Sequence, residues 1–197
     1  MAWIAGSKVV TPMQLALGKA ASLLYPDAGL NTAQRVAMCL GQQSVETGGF
    51  NRLIENLNYS ARRLTEVWPG RFPTLASALP YAHNPEALAN KTYGGRFGNK
   101  KPGDGYKYRG RGTKQTTFYD NYLDVQTVTG FDVINNPDQL ADSMKGSQAG
   151  VVYWTAKDCN RLADTGNIEA LTRRVNGGVN GLVARTTATN RALSILK

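Results

Sequence analysis

Histidine occurs once and cysteine twice among the 197 residues, and that scarcity removes whole classes of chemistry. Cys39 and Cys159 stand far apart, with no second cysteine or histidine at ligand spacing around either, so a zinc site is not expected. Each falls in an apolar helical stretch, where a free thiol packs as a small hydrophobe. Buried, unpaired cysteines suit folding in a reducing cytoplasm. His83, the single histidine, cannot form a histidine-based metal cluster and is expected at the surface or at a cleft rim. No metal and no cofactor is expected.

Long apolar runs are missing too. No stretch approaches the roughly 18 residues of a membrane span, and Met1-Ala2-Trp3-Ile4-Ala5-Gly6-Ser7-Lys8 lacks the basic start and apolar core of a signal peptide. Stable membrane insertion is not expected, and a target in the cell wall would need another route of delivery. Internal repeats and low-complexity tracts are absent. Acidic residues are few, 14 against 23 lysines and arginines, and the resulting charge of +9 favours a polyanionic partner such as nucleic acid, anionic membrane or bacterial wall. The basic residues, among them Arg62, Arg63, Lys100, Lys101, Arg109, Arg111, Arg173 and Arg174, are scattered without a basic tail, which argues against nucleic acid.

What is present is a globular composition, 42% hydrophobic and 19% charged, at a length that supports one domain with a real core. Thr11-Pro12 is an N-cap followed by a first-turn proline, and apolar residues continue at helical spacing to Pro26. Asn31 with Gln34 reads as a capping pair for a second helix, carried by Ala33, Val36, Ala37 and Leu40 and stopped by Gly48-Gly49. Between about Leu64 and Gly112 prolines and glycines crowd the chain, leaving short helical pieces such as Asn84-Pro85-Glu86-Ala87-Leu88. Helical texture returns over Phe118–Val128, Ser143–Lys157, Asn167–Val175 and Leu182–Leu196. The expected fold is mainly α and bilobal, with a larger helical lobe (about 1–63 and 113–197), a smaller loop-rich lobe (about 64–112), and a cleft where they meet.

Glu46 closes the second helix, roughly 130° from the buried stripe, so it is not a core position. Unsatisfied helix-end carbonyls oppose a negative charge there and bias the carboxyl towards holding its proton, as a general acid requires. The same residues equally describe a plain helix C-cap with a solvated glutamate. Glu55 follows nine residues later, and two carboxyls facing one glycosidic bond are the minimal apparatus of its hydrolysis. The segment Tyr106–Thr117 mixes aromatics that can stack on sugars with Gln115 and Thr117, which can bond hydroxyls or a water. Its alternative is a glycine-rich turn with Thr117 capping the next helix. Asn176-Gly177-Gly178 could touch a sugar or simply turn between helices.

In order along the chain, Glu46-Thr47-Gly48-Gly49-Phe50, Glu55-Asn56-Leu57-Asn58-Tyr59-Ser60-Ala61, Tyr93-Gly94-Gly95-Arg96-Phe97-Gly98-Asn99, Asp104–Gly112, Asn121-Tyr122 and Asn176-Gly177-Gly178 resemble glycoside hydrolase family 19, in its phage endolysin and bacterial branch. The resemblance implies a lysozyme-like bilobal fold, an inverting mechanism and a β-1,4-linked N-acetylhexosamine substrate. It implies that Glu46 is the general acid, that Glu55 is the base, and that Thr117 helps hold the attacking water. Tyr59, Tyr108, Arg111, Gln115 and Asn176 are the expected substrate contacts. Val45 replaces a histidine common in the family, and Thr113-Lys114 replaces a commonly apolar pair. Plant chitinases place the base further downstream.

The expected function is that of a monomeric endolysin hydrolysing peptidoglycan, made in the host cytoplasm and reaching the wall through a holin pore. A chitinase, a lytic transglycosylase and a non-catalytic wall-binding module are the competing readings.

Overall fold

The computed structural model describes residues 1–196, and they form an almost wholly helical protein. Thr11 opens α1 (Pro12–Leu24) with a reciprocal cap: Gln14 N–H donates to its hydroxyl, and its own N–H donates to the Gln14 side chain. The expected cap of α2 (Ala33–Glu46) is displaced by one residue. Thr32, extended at φ −113° and ψ 150°, accepts from Arg35 N–H, and Gln34 instead donates to the Ala163 carbonyl. Asn31 sits one position too early for a cap. The glycines end α2 as the sequence predicts: Gly48 and Gly49 turn left-handed at φ 58° and 77°, and Gly49 N–H returns to the Ser44 carbonyl at 2.7 Å.

Short elements follow: α3 (Ala61–Val67), α4 (Leu75–Ala78), a 3-10 turn (Leu79–Tyr81), α5 (Pro85–Tyr93) and α6 (Asp104–Lys107). Asn84 caps α5 and Pro85 fills its first turn, as the pattern predicts. Thr117 does not cap the next helix. α7 (Tyr119–Thr129) starts after Phe118, which takes φ 75°, and its first N–H is received by Asn99 from a distant loop at 2.9 Å. A second 3-10 turn (Pro137–Ala141) precedes α8 (Ser143–Ala156), capped by Asp142, and then come α9 (Cys159–Asp164), α10 (Ile168–Asn176) and α11 (Leu182–Leu196). The only pairing of extended segments among the described residues is two isolated bridges, Ile54 to Arg111 and Arg111 to Thr116. No described helix is long and apolar enough to cross a membrane.

Three apolar clusters hold these elements. The largest joins α1, α2, α8, α9, α10 and α11 through Leu17, Met38, Trp154, Leu171 and Ala188, and it contains both cysteines, which are free and buried as expected. A second gathers Leu57, Leu64, Phe72 and Leu88 from the short elements, and a third packs Tyr108, Tyr122, Val125 and Leu140 beneath α8. Each large side chain so buried contributes about 1.5–3 kcal/mol.

One helix contact positions the residues described next. α11 crosses α2 at Gly41, where an added Cβ would overlap Thr189 Oγ1 and lie 3.1 Å from the Arg185 carbonyl. Only a bare backbone allows this approach. Gly41→Ala should therefore lower stability by about 1–3 kcal/mol through overpacking, measured as an earlier urea midpoint with unchanged slope.

Candidate functional site

The close passage of α11 over α2 delivers Arg185 to the end of α2. The Arg185 side chain is 2% exposed, and its guanidinium is shared among three partners. Nη2 donates to Glu46 Oε1 at 2.7 Å, Nη1 to Gln42 Oε1 at 2.8 Å, and Nε to the Asn180 carbonyl at 3.1 Å. Gln42 passes the network on by donating to Thr172 on α10 at 3.1 Å. Glu46 is thus held by a charge-assisted bond in a setting 16% open to solvent. The helix-end carbonyls invoked from the sequence are not its only electrostatic neighbours.

Glu55 is fixed differently. Its backbone N–H donates to the Gly110 carbonyl at 3.0 Å, and Gly110 N–H donates back to its carboxyl Oε1 at 2.5 Å. The Tyr93 hydroxyl donates to Oε2 at 2.8 Å. Burial raises the Glu55 carboxyl above its ordinary value, against these two donors and the more distant Arg109 and Arg111. The same contact, with burial first among the causes, pushes the Tyr93 hydroxyl well up.

The bridged loop carrying Gly110 brings Gln115 to Glu55, since a Cβ on Gly110 would lie 2.9 Å from Gln115 Oε1 and 3.3 Å from the Glu55 carboxyl carbon. Gln115 adopts φ 50° and is steadied by donating to the Gly112 carbonyl. Thr117 Oγ1 donates to the Gln115 carbonyl at 2.8 Å, which leaves its lone pairs free to accept from a water. Gln115 and Thr117 share a cavity of about 230 Å³ with Lys114, Asn121, Tyr153 and Lys157. Glu46 lies close enough for its charge to act on Lys114 and Tyr153 in this wall.

Other expected contacts fall elsewhere. Tyr108 and Arg111 are corrections: both belong to the core, at 3% and 1% exposure. The Tyr108 hydroxyl donates to the Ile134 carbonyl, while Arg111 binds Asp138 at 2.7 Å and the Tyr122 hydroxyl at 2.9 Å. Their polar groups are spent inside the protein. Tyr59 is half-buried edge-on against Trp68. Asn176 is exposed at the end of α10, one residue beyond Val175 of the cavity wall. His83 is exposed and bonded to Asn58. No group of three or more metal-ligating side chains occurs among the described residues.

Two residues escaped the sequence reading. Arg185 was signalled by its place in the stripe of Arg185, Ala188, Thr189 and Ala192 that α11 buries, because a charge on an apolar face demands a partner. Tyr93 stood in a quoted motif but gave no sign of reaching Glu55.

Comparison with known proteins bears on this geometry. A Haemophilus influenzae protein named as a glycosyl hydrolase family 19 domain-containing protein is 40% identical over 170 residues, 85% of this chain and 82% of that protein. A solved bacterial family 19 chitinase shares the fold with a TM-score of 0.59, covering 98% of this chain and 91% of its own at 22% identity. No family model matches the chain.

The surroundings of Glu55 set a dependence of stability on pH. A carboxyl whose folded value is raised above the ordinary 4.5 contributes stability that is present below that pH and is lost as pH rises through the folded value. Glu55→Gln, which keeps the acceptor for Gly110, should abolish this loss. The variant's urea midpoint should gain on the wild type as pH is raised from mildly acidic to neutral.

Proposed function

The chain belongs to glycoside hydrolase family 19, and from that premise we propose that it hydrolyses the β-1,4 bonds of bacterial peptidoglycan with inversion, as an endolysin does. Glu46 protonates the oxygen between N-acetylmuramic acid and N-acetylglucosamine. Glu55 deprotonates a water that Thr117 helps to hold, and Gln115 steadies the sugar beside it.

The observation that carries a two-carboxyl mechanism is the pair in contrasting surroundings, while the assignment of acid and base follows the resemblance to the family. Glu46 meets a guanidinium at the end of α2, while Glu55 is half-buried and receives one hydrogen bond on each oxygen. Environments that separate two carboxyls chemically divide the acid and base tasks between them. Two hydrogen bonds fix the Glu55 carboxyl, and a raised affinity for protons makes it a stronger base where it is ionised. The net charge of +9 favours an anionic wall over neutral chitin as the polymer approached. Raised proton affinity at Glu55 also supports a second reading, with acid and base exchanged.

Glu46→Gln and Glu55→Gln should each lower turnover of purified peptidoglycan by about 10²–10⁴-fold, the usual contribution of a general acid or base, with the fold intact by circular dichroism. On an aryl glycoside with a good leaving group Glu46→Gln should recover, and azide should rescue Glu55→Gln alone. The opposite pattern would establish the exchanged roles. Undiminished peptidoglycan turnover in Glu46→Gln would overturn the assignment, and turnover of chitin oligomers with none of peptidoglycan would make the enzyme a chitinase.

A further inference from the structure

Of the five phenylalanines in the chain, Phe97 alone is exposed, at 60%. Leaving so large an apolar ring in water forfeits the stabilisation that burial gives, and the backbone beneath it is strained as well, at φ 41°. The loop that carries it is nonetheless firmly built. The Phe97 carbonyl accepts from Asp120 N–H at 3.2 Å, and the bare backbone of Gly98 is required because a Cβ there would overlap the Asp120 carboxylate. Asn99, 1% exposed, donates its side-chain amide to the Tyr93 carbonyl at 3.0 Å and receives Tyr119 N–H at 2.9 Å, tying the end of α5 to the start of α7. The fold therefore holds Phe97 outward.

Its ring opens a chain of aromatic contacts that ends on Glu55. Phe97 meets Phe118 edge-on with ring centres 4.9 Å apart, and Phe118 meets Tyr93 edge-on at 5.4 Å. The Tyr93 hydroxyl is the donor to Glu55 Oε2. Phe118, at φ 75°, also forms part of the wall of the cavity that Gln115 and Thr117 share. Arg96 clasps the outer pair, its guanidinium carbon 5.5 Å from the Phe97 ring centre and 5.3 Å from that of Phe118. Packing of the core does not account for either ring, since neither belongs to any of the three apolar clusters. Two strained aromatics are thus joined rigidly to one of the candidate carboxyls and kept open to solvent.

We propose that Phe97 and Phe118 form a stacking subsite for the C–H face of an N-acetylated pyranose ring, beyond the sugars at Glu46 and Glu55, so that a longer glycan is held better than a shorter one. The proposal rests on the glycosidase reading above and deepens it by extending the site along the glycan. Aromatic faces carry partial negative charge, and the polarised C–H groups of a sugar ring are their complement, so the contact needs no charge on the ligand. N-acetylglucosamine units offer that face in peptidoglycan and in chitin alike. Rings already fixed by the fold lose little freedom when the sugar arrives.

Chemical-shift titration of the full chain carrying Glu46→Gln, which spares the ligand from cleavage, tests this with a disaccharide and a hexasaccharide of two series. One series is peptide-free glycan from peptidoglycan, the other N-acetylglucosamine oligomers. In at least one series the hexasaccharide should bind more tightly than the disaccharide and shift the Phe97 ring signals. Adding Phe97→Ala should weaken hexasaccharide binding by about two- to tenfold, the worth of one aromatic contact, and Phe97→Trp should restore it. Phe97 ring signals that move with neither hexasaccharide, or a folded Phe97→Ala that binds both as its parent does, would overturn the proposal. Turnover of either polymer by the wild type is measured separately from these binding signals, so failure of the hydrolase reading is distinguishable from failure of the subsite.

Discussion

The buried guanidinium of Arg185 is the constraint on which the helical side of the site depends. It binds Glu46 and Gln42 on α2 and the Asn180 carbonyl ahead of α11, and Gln42 extends the hold to α10. Breaking a buried ion pair costs about 3–5 kcal/mol when the remaining charge stays dry; partial exposure of Glu46 places this pair below that range. Position matters more than energy here. Glu46 ends a helix where the backbone is about to turn, and without Arg185 its side chain would have no reason to hold one direction. The arrangement is possible only because Gly41 lets α11 come within contact of the α2 backbone.

The opposite side is built on a second close approach. The loop carrying Gly110 to Thr117 lies against α8, with Thr113 N–H bonded to the Gly146 carbonyl and a Cβ on Gly112 placed 2.9 Å from that same oxygen. Glycines four residues apart on α8, at 146 and 150, form the bed for the loop. Gln115 and Phe118 are then left at φ 50° and 75°, conformations that cost about 1–3 kcal/mol each and persist where surrounding contacts over-determine them. Glu55 on one side and the shared cavity on the other are where that strain is concentrated.

Much of the helical frame was legible. Caps at Thr11 and Asn84, the glycine stop after Glu46 and the long apolar periodicities locate α1, the end of α2, the start of α5, and α8, α10 and α11 within a residue or two. Local chemistry decided those elements. α9 was missed because six residues give too little periodicity, and because Asp158 enters it from a left-handed conformation that no local signal announces. The start of α7 depends on Asn99, distant in sequence, so Thr117 could not have revealed it. Tyr108 and Arg111 were expected at a sugar because their segment mixes aromatic and polar groups, whereas tertiary packing folded them inward. Glu46 and Glu55 could be proposed as a pair from the sequence, but what holds each carboxyl, Arg185 and Tyr93, belongs to contacts 139 and 38 residues apart.

Two carboxyls acting on opposite sides of one bond, with water attacking directly, must invert the anomeric centre. Proton NMR of the first products released from purified peptidoglycan reads that centre before mutarotation. The account predicts new N-acetylmuramic acid reducing ends appearing first as the α-anomer. First appearance of the β-anomer, or anhydromuramic ends with no water added, would contradict it.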